Sequence, residues 1–390
     1  DLNLLQYIQR QIHAFQIQGE DHFEQLHDLN MDWLISIANT TQDEPDLRMF
    51  NYAHQPNGTD AFFSNSLPEP IYPTRFYRAV NEDSIWASLN NKIPFKQWND
   101  LDGFAKFGGG FVGSERGFTE QTFQFDGTSG WRDPNLVGTP NNYFTPENLL
   151  YTIQTNRNGT NYIFQRRFTQ TVGTSFYNGE QQIPAGYAMT ELPLTGRFKM
   201  IGGARLESTH LAVTGGTPGR ITNSLINQLD VMPAVSGVYQ IVSNMYLRAS
   251  FSQTVARPTF REIAPYRSYD PFQDQIIEGN PGLQLTDIDN YDLRWEYYPK
   301  PGTVFSLSGF YKHLSHPIEK VSLTFGGDLV TFENREEATL YGVELEANTR
   351  LDLLDDSLEE FQVGFNFAYI VSEVSLTPTE LVNKQILFPG

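Results

Sequence analysis

The sequence contains no cysteine, which excludes a disulfide framework, thiolate chemistry and a cysteine metal site. It also lacks any apolar run close to the roughly 18 residues that a membrane-spanning helix needs, which excludes a helical membrane protein. Basic residues are few: 27 Lys and Arg stand against 46 Asp and Glu, and the formal net charge is −19. This acidic balance argues against nucleic acid as a partner. Residues 1–10 lack the basic start and apolar core of a signal peptide, so such a peptide was removed or the sequence is a fragment.

Aromatic residues, by contrast, are abundant, with 29 Phe and 19 Tyr, and many lie in segments of alternating polarity. The clearest segment is residues 289–312. In its first half Tyr291, Leu293 and Trp295 fall on one face, and polar residues such as Arg294 fall on the other, which is the period of a β-strand with two unlike faces. A Pro-Lys-Pro-Gly turn follows, and then the alternation resumes. The segment is predicted to be a hairpin with an apolar aromatic face and a charged face.

The same alternation recurs along the whole chain and predicts about twelve strands. The predicted strands are residues 4–18, 31–40, 75–91, 104–125, 183–192, 198–212, 226–241, 246–256, 289–298, 303–312, 341–348 and 361–374.

The predicted connections between these strands alternate between short and long. The short ones lie near residues 19–30, 92–101, 193–197, 242–245, 299–302 and 352–360, and the long ones near 41–74, 126–182, 213–225, 257–288 and 317–338. In an up-and-down antiparallel sheet every second connection lies on the same edge, so all short turns share one rim. That asymmetry is typical of outer-membrane barrels, whereas a soluble all-β protein, the alternative, has no reason to sort its loops. The predicted fold is therefore all-β, a transmembrane antiparallel up-and-down β-barrel.

Several motifs, in this order along the chain, carry a family resemblance. They are Glu-Pro-Asp-Leu-Arg at 44–48, Gln-Thr-Val-Ala-Arg-Pro-Thr-Phe-Arg-Glu-Ile-Ala-Pro-Tyr at 253–266, Gly-Asn-Pro-Gly-Leu at 279–283, Ile-Asp-Asn-Tyr-Asp-Leu-Arg-Trp-Glu at 288–296, Phe-Tyr-Lys at 310–312, Pro-Ile-Glu at 317–319 and Tyr-Gly-Val-Glu-Leu-Glu at 341–346. Together they resemble the barrel of TonB-dependent outer-membrane receptors over about residues 1–376.

The resemblance implies a barrel of about twenty-two strands in the outer membrane of a Gram-negative bacterium, closed around an N-terminal plug. Its partners would be outer-membrane lipid, the TonB-ExbB-ExbD energising complex acting through the plug, an unknown ligand and a surface lipoprotein. Here no plug or TonB box precedes Asp1, and the sequence stops at Gly390 after about half the strands. Because an open half-barrel would leave unpaired edges in lipid, residues 1–390 are expected to be part of a single barrel domain. Its plug and C-terminal strands would lie outside this chain, and its first and last strands would not pair.

Three functions are considered for an outer-membrane barrel of this kind. The leading one is TonB-dependent import of a scarce nutrient such as a siderophore, oligosaccharide or peptide. The alternative is a passive porin or adhesin barrel. An outer-membrane enzyme is the third, but no Ser/His/Asp arrangement occurs at matched positions, so the protein is predicted not to be an enzyme and to need no cofactor.

Two sets of aromatic residues are the candidate site residues. Loops carry function more often than scaffolds do, so loop aromatics are predicted to bind ligand: Trp131, Tyr143, Phe144, Tyr266, Tyr269 and Phe272. A second set lies just before a short turn and is predicted to form an aromatic girdle at the periplasmic interface: Tyr291, Trp295, Tyr297 and Tyr298.

Other polar groups are better explained as structural. His313 and His316 would lie on opposite faces of a strand, so no metal site is predicted there. Residues 257–261 are interpreted as a corner that fixes the end of a strand, with Arg261 and Glu262 paired to each other. Residues 270–278 are acidic enough for calcium but lack a full ligand spacing. The charged strand faces are interpreted as a lumen wall laced with salt bridges.

Overall fold

The computed structural model describes residues 2–54, 60–62, 74–98, 100–127, 152–155, 161–164, 168–270, 272–273, 275–323, 329–351, 355–358, 360–377 and 380. Within them the chain forms one short α-helix, α1 (Phe260–Ile263), two single-turn 3-10 helices (Glu24–Leu26 and Asp356–Leu358) and twenty strands. The strands are β1 (Leu2–Leu5), β2 (Gln9–Phe23), β3 (Leu29–His54), β4 (Asp60–Phe62), β5 (Thr74–Lys96), β6 (Asp102–Gly127), β7 (Thr152–Thr155), β8 (Asn161–Phe164), β9 (Phe168–Pro193), β10 (Phe198–Thr217), β11 (Arg220–Val242), β12 (Met245–Ala256), β13 (Arg267–Asp270), β14 (Gln275–Glu278), β15 (Thr286–Tyr297), β16 (Val304–Ser315), β17 (Ile318–Ser322), β18 (Leu329–Asn334), β19 (Glu337–Arg350) and β20 (Gln362–Val374). No helix in these ranges is long and apolar enough to cross a membrane.

Fourteen of these strands form one antiparallel sheet, called the wall below. Its path is β1-β3-β5-β6-β9-β10-β11-β12-β15-β16-β19-β20, with β2 and β4 also paired to β3. The long strands therefore neighbour one another in sequence order, which confirms the predicted up-and-down topology. In the described part of the chain, the ladder of β2 is with β3 and that of β20 is with β19, and no ladder joins β2 to β20.

The predicted first strand is interrupted. β1 and β2 pair with two different stretches of β3, on either side of a register shift between Glu44 and Leu47. Asp46 lies within that shift and has a φ of 70°, which marks a β-bulge in β3.

The two faces of the wall differ in polarity as the alternation predicts. Leu293 and Phe365 point outward and each is 53% exposed. Glu296 and Ser306 point inward, face each other across β15 and β16, and are buried. Charged partners surround Glu296, which accepts hydrogen bonds from Arg248 and Arg294 at 2.8 Å each. The inner face is thus the salt-bridged surface that the sequence predicts.

The short turns are confirmed where the structure describes them, and the predicted loops 41–74, 126–182 and 213–225 are wrong over the residues that it describes. Residues 55–59, 63–73, 128–151, 156–160 and 165–167 of those predicted loops lie outside the described residues. Residues 41–54 continue β3, residues 168–182 continue β9, and residues 213–225 form a tight hairpin between β10 and β11. In that hairpin the ladder runs to the Thr217–Arg220 pair, and Gly216 and Gly219 take positive φ values at the turn. Glycine and proline mark the turn itself, but the polar residues beside it pair across the strands.

The predicted loops 257–288 and 317–338 are also more ordered than expected. They contain α1 and a second, four-stranded sheet of order β13-β14-β18-β17, in which β14 and β18 run parallel. We call the described residues of 257–285 and 316–336 the inner unit. Its strands come from two separate connections, and hydrogen bonds link them: Asn334 donates to the carbonyls of Gln284 and His316, and Thr331 donates to that of Glu278.

The inner unit packs on the inward face of the wall, where the main apolar core of the described residues forms. Ile263 and Ala264 are fully buried against Phe118, Leu211 and other wall side chains. A second cluster joins Tyr269 of β13 to Leu47, Met49 and Phe76 of the wall. Full burial of each large apolar side chain stabilises the fold by about 1.5–3 kcal/mol, so the inner unit is a packed layer.

Candidate functional site

A cavity of about 580 Å³ lies between the inner unit and the wall. Its lining on the wall side comes from the long-connection ends of β5, β6, β9, β10 and β11. It includes Phe76, Glu120, Thr122, Ser175, Thr217, Arg220 and Thr222. Its lining on the inner-unit side includes Tyr266, Arg267, Ser268, Tyr269 and Glu278. We call it the rim cavity, because it lies at the rim opposite the short turns.

The corner at residues 257–263 positions the inner-unit side of this cavity. Thr259 caps α1: its side-chain oxygen accepts from the Glu262 N–H, and the Glu262 carboxylate accepts from the Thr259 N–H at 2.7 Å. This reciprocal capping box satisfies two donors at the helix start. The predicted pairing of Glu262 with Arg261 is therefore wrong, because the cap engages the Glu262 carboxylate.

Arg261 instead ties α1 to the inner sheet. Its Nη2 donates to Ser268 Oγ at 2.7 Å and to the Ile277 carbonyl at 2.6 Å. Its guanidinium also lies 4.4 Å from the centre of the Tyr266 ring. One side chain thus joins the helix to both β13 and β14.

The Phe260 ring of α1 packs against the wall at a position where the wall has no side chain. Gly179 of β9 lies under the ring, and a Cβ atom at that position would be 2.4 Å from Phe260 Cδ1. The Arg116 guanidinium lies 5.5 Å from the ring centre. The corner interpretation of residues 257–261 agrees with this packed, buried geometry.

Two arginines connect the wall to the inner unit by hydrogen bonds. Arg78 of β5 donates to Glu120 at 2.5 Å and to the Tyr269 carbonyl at 2.7 Å. Arg257 pairs with Glu207 of β10 at 2.5 Å. Charge-assisted bonds of this kind are roughly twice as strong as neutral ones. The Arg78 bond holds β13 against the wall, and the Arg257 pair holds the start of the inner unit there.

Of the predicted ligand-binding aromatics, Tyr266 and Tyr269 lie at the rim cavity, but their rings are mostly buried. Tyr266 is 4% exposed and stacks near Phe118 and Tyr177, with ring centres 5.2 and 5.7 Å away. Burial raises the pKa of the Tyr266 hydroxyl well above its ordinary value. Tyr269 stacks with Phe76 at 6.4 Å.

The other predicted ligand-binding aromatics are not brought to this cavity by the described structure. Phe272 is 74% exposed and is not part of the cavity lining. Trp131, Tyr143 and Phe144 lie outside the described residues. A ligand-binding role for all six stays a prediction.

The acidic stretch at 270–278 uses its carboxylates locally. Asp270 accepts hydrogen bonds from the backbone N–H groups of Phe272 and Gln273, and Glu278 pairs with Arg267 at 3.0 Å. The described residues contain no group of three His, Asp or Glu side chains arranged for a metal ion.

The four predicted girdle residues lie at two different levels. Tyr297 pairs with Phe305 beside the short turn, whereas Tyr291 pairs with Phe251 and Tyr311, six residues further along β15. At about 3.4 Å per residue the two levels are roughly 20 Å apart along the strand. Tyr291 is 46% exposed and belongs to an outward aromatic row nearer the long connections. This row becomes visible only from the pairing register between strands, which the alternation of residue types along one strand does not give.

The wall residues of the rim cavity were not among the predicted site residues. Thr217 and Arg220 fell within the region predicted as a loop, and Thr122 and Ser175 were not singled out. The available signal was the alternation of polar residues at Glu120, Thr122 and Gln124, but their neighbours on other strands depend on register. That register places Glu120 opposite Ser175 and Thr217 opposite Arg220.

Comparison with known proteins gives a family and several similar structures. Residues 20–389 match the family described as TonB dependent receptor-like, beta-barrel. The chain is similar to the ferric yersiniabactin uptake receptor FyuA from Yersinia pestis, with 14% identity and a TM-score of 0.54 over 95% of this chain and 44% of that chain. It is also similar to the siderophore receptor PiuA from Acinetobacter baumannii, with 11% identity and a TM-score of 0.58 over 96% and 49%. A third similar structure is the ferric-catecholate import receptor Fiu from E. coli K12, with 12% identity and a TM-score of 0.55 over 95% of this chain and 48% of that chain.

The chain therefore spans about half the length of these receptors, and at such low identity the likeness is one of fold. No curated protein matches the sequence.

Proposed function

Because the chain belongs to the TonB-dependent receptor family, of whose barrel it supplies strands, we propose that it takes part in active import of a scarce nutrient across the outer membrane. The observation that carries the proposal is the family match over residues 20–389. Receptors of this family are outer-membrane β-barrels of Gram-negative bacteria, and the exposed apolar outward face of the wall agrees with a lipid boundary. The family is one of receptors and transporters rather than enzymes.

The complete importer is larger than this chain. We propose that residues 1–390 are part of a single barrel of about twenty-two strands, with a plug domain and further strands supplied by sequence outside it. The plug would contact TonB, which ExbB and ExbD energise. The half-length coverage of the similar receptors supports this division. A surface lipoprotein partner stays a prediction.

The ligand would first meet the protein at the rim opposite the short turns. The rim cavity is the candidate contact there, because it combines polar and charged side chains from four wall strands with the inner unit. Siderophores, oligosaccharides and peptides are all ligand classes for such a site. A passive porin or adhesin is less well supported, because the inner unit lies along the inward face where an open pore would run.

The proposal is tested on the full-length receptor without knowing its ligand. Purified receptor is mixed with the C-terminal domain of TonB from the same bacterium, and its conductance is measured in planar bilayers. We expect a stable TonB complex and no steady open channel, with a general porin as the control. A large steady conductance without TonB binding would favour the passive alternative.

A further inference from the structure

We propose that the rim cavity binds a hydroxyl-bearing ligand that presents an oxyanion, carboxylate or phosphate, and that Arg220 contacts this oxyanion. The inference rests on the proposed import function and concerns the chemical class of the ligand. It is carried by the charges and hydroxyl groups that line the cavity.

Arg220 is the charged group of the cavity that stands without a counter-ion. The other charged lining residues are neutralised: Arg267 pairs with Glu278 at 3.0 Å, and Glu120 pairs with Arg78 at 2.5 Å. Arg220 lies at the exposed β10–β11 turn and has no ion-pair or hydrogen-bond partner for its side chain in the part of the chain that the structure describes. A free guanidinium offers a rigid fork of donors that matches carboxylate and phosphate oxygens.

Hydroxyl groups from four adjacent wall strands line the cavity together with Arg220. Thr122 of β6, Ser175 of β9, Thr217 of β10 and Thr222 of β11 all line the cavity. The register brings them together, because Thr122 lies opposite Gly173, two residues from Ser175, and Thr222 lies opposite Gly215, two residues from Thr217. Across these described strands, none of the four side chains has a hydrogen-bond partner. Each hydroxyl can donate and accept, which suits a ligand with several hydroxyl groups.

The aromatic residues of the cavity favour the same class of ligand. Phe76, Tyr266 and Tyr269 line it, but each is at most 7% exposed and stacks within the protein. Their ring faces are occupied by protein contacts, so the cavity offers little open aromatic surface for stacking a flat apolar ligand. Recognition must therefore come from polar groups, with Arg220 as the charged one.

The test measures equilibrium binding of three small probes to the full-length receptor in detergent. The probes are glucuronate, glucose 6-phosphate and glucose. We expect at least one of the two anionic probes to bind about tenfold or more tightly than glucose, because a charge-assisted bond to Arg220 is added. Tighter binding of glucuronate would identify a carboxylate ligand, and tighter binding of glucose 6-phosphate a phosphate ligand.

Variants then assign the preference to one side chain. Arg220→Gln should remove the anion preference and Arg220→Lys should keep part of it. Arg10→Gln is the matched control, because Arg10 of β2 is an exposed arginine outside the cavity lining, and its partner Gln42 carries no charge. The inference is overturned if glucose binds as tightly as both anions, if no probe binds in the millimolar range, or if Arg220→Gln leaves the preference intact. An intact TonB complex with any of these outcomes would leave the import function standing and remove only the ligand class.

Discussion

Gly179 has to be a glycine because Phe260 of the inner unit packs directly on it. A Cβ atom at position 179 would lie 2.4 Å from Phe260 Cδ1, closer than side-chain atoms tolerate. We expect Gly179→Ala to displace the ring and destabilise the docked inner unit by about 1–3 kcal/mol, as overpacking of a filled site does. Limited trypsin digestion of the folded full-length protein would detect this as faster cleavage within residues 257–267.

Gly117 on the neighbouring strand provides the control. A Cβ atom there would meet Asn178 Oδ1 at 3.5 Å, an ordinary contact. Gly117→Ala should leave the cleavage rate unchanged. Equal acceleration in both variants would mean that Phe260 does not hold the inner unit in place.

The buried hydroxyl of Tyr266 is expected to make the folded protein less stable at alkaline pH. Burial raises the pKa of its hydroxyl above the ordinary value of 10.0. As the pH rises past about 10, an unfolded Tyr266 gives up its proton whereas the folded one keeps it, so the free energy of unfolding falls. Tyr266→Phe keeps the ring but cannot ionise. The melting temperature of the parent protein, measured relative to this variant, should fall above about pH 10. Parallel curves for the two proteins would contradict the assignment.

Adjacent residues of β20 test which face of the wall meets lipid. Phe365 points outward and is 53% exposed, and Asn366 points inward. Phe365→Arg should cost roughly 2–4 kcal/mol if the residue lies near the bilayer midplane, and Asn366→Arg should cost much less. Denaturant titration of the full-length protein in lipid vesicles measures both. Similar costs at the two positions would indicate a soluble core.

The alternation of residue types predicts such faces well, because the side-chain period of a strand depends only on the backbone. Contacts between side chains are harder to predict. Glu262 directly follows Arg261, which suggested an ion pair between them. In the structure the Glu262 carboxylate instead accepts a hydrogen bond from the Thr259 N–H and caps the start of α1. The buried rings of Tyr266 and Tyr269 depend on packing between segments that are far apart in sequence.

At the scale of elements, Asn334 holds the two connections of the inner unit together. Its side chain donates to the carbonyls of His316 at 2.7 Å and of Gln284 at 3.2 Å, and it accepts from the Gln284 N–H at 2.8 Å. Losing these partners should cost about 1–3 kcal/mol. We expect Asn334→Ala to speed amide hydrogen exchange in both connections at once. The control is Asn348→Ala, which removes an exposed bond to Gln362 far from the inner unit. Faster exchange in only one connection would show that the two are independent.

The strands themselves were predictable, whereas the long connections were not. Composition marks residues 213–225 as a loop, because it is rich in Gly, Thr and Pro. In the structure the turn takes two residues and the rest pair across β10 and β11. Likewise β14 and β18 pair with each other in parallel, although the β15–β16 hairpin lies between them in the sequence. Pairing between distant segments leaves no pattern in the local sequence. Glycine and proline therefore predict where the chain turns, but not which residues beside the turn pair across strands.

At the scale of the whole molecule, the arrangement of the turns predicts which residues are accessible from outside the cell. Because the native sequence has no cysteine, single cysteines can be labelled without background from this chain. We expect Pro218→Cys, at the exposed β10–β11 turn, to react with a membrane-impermeant maleimide on intact cells. Pro301→Cys and Ser357→Cys, at short turns, should react only after lysis. Labelling of all three on intact cells would contradict the predicted orientation.

The parallel pairing of β14 with β18 also constrains the order of assembly. Thr331 donates to the Glu278 carbonyl across 53 residues of chain, and the intervening residues include the β15–β16 hairpin of the wall. Contacts between such distant segments repay the entropy of closing the intervening chain only once that chain is itself ordered. The inner unit should therefore form late, after β15 and β16 have joined their neighbours. A receptor stalled during insertion into the membrane would have wall strands but no rim cavity, so ligand binding would report the completion of folding.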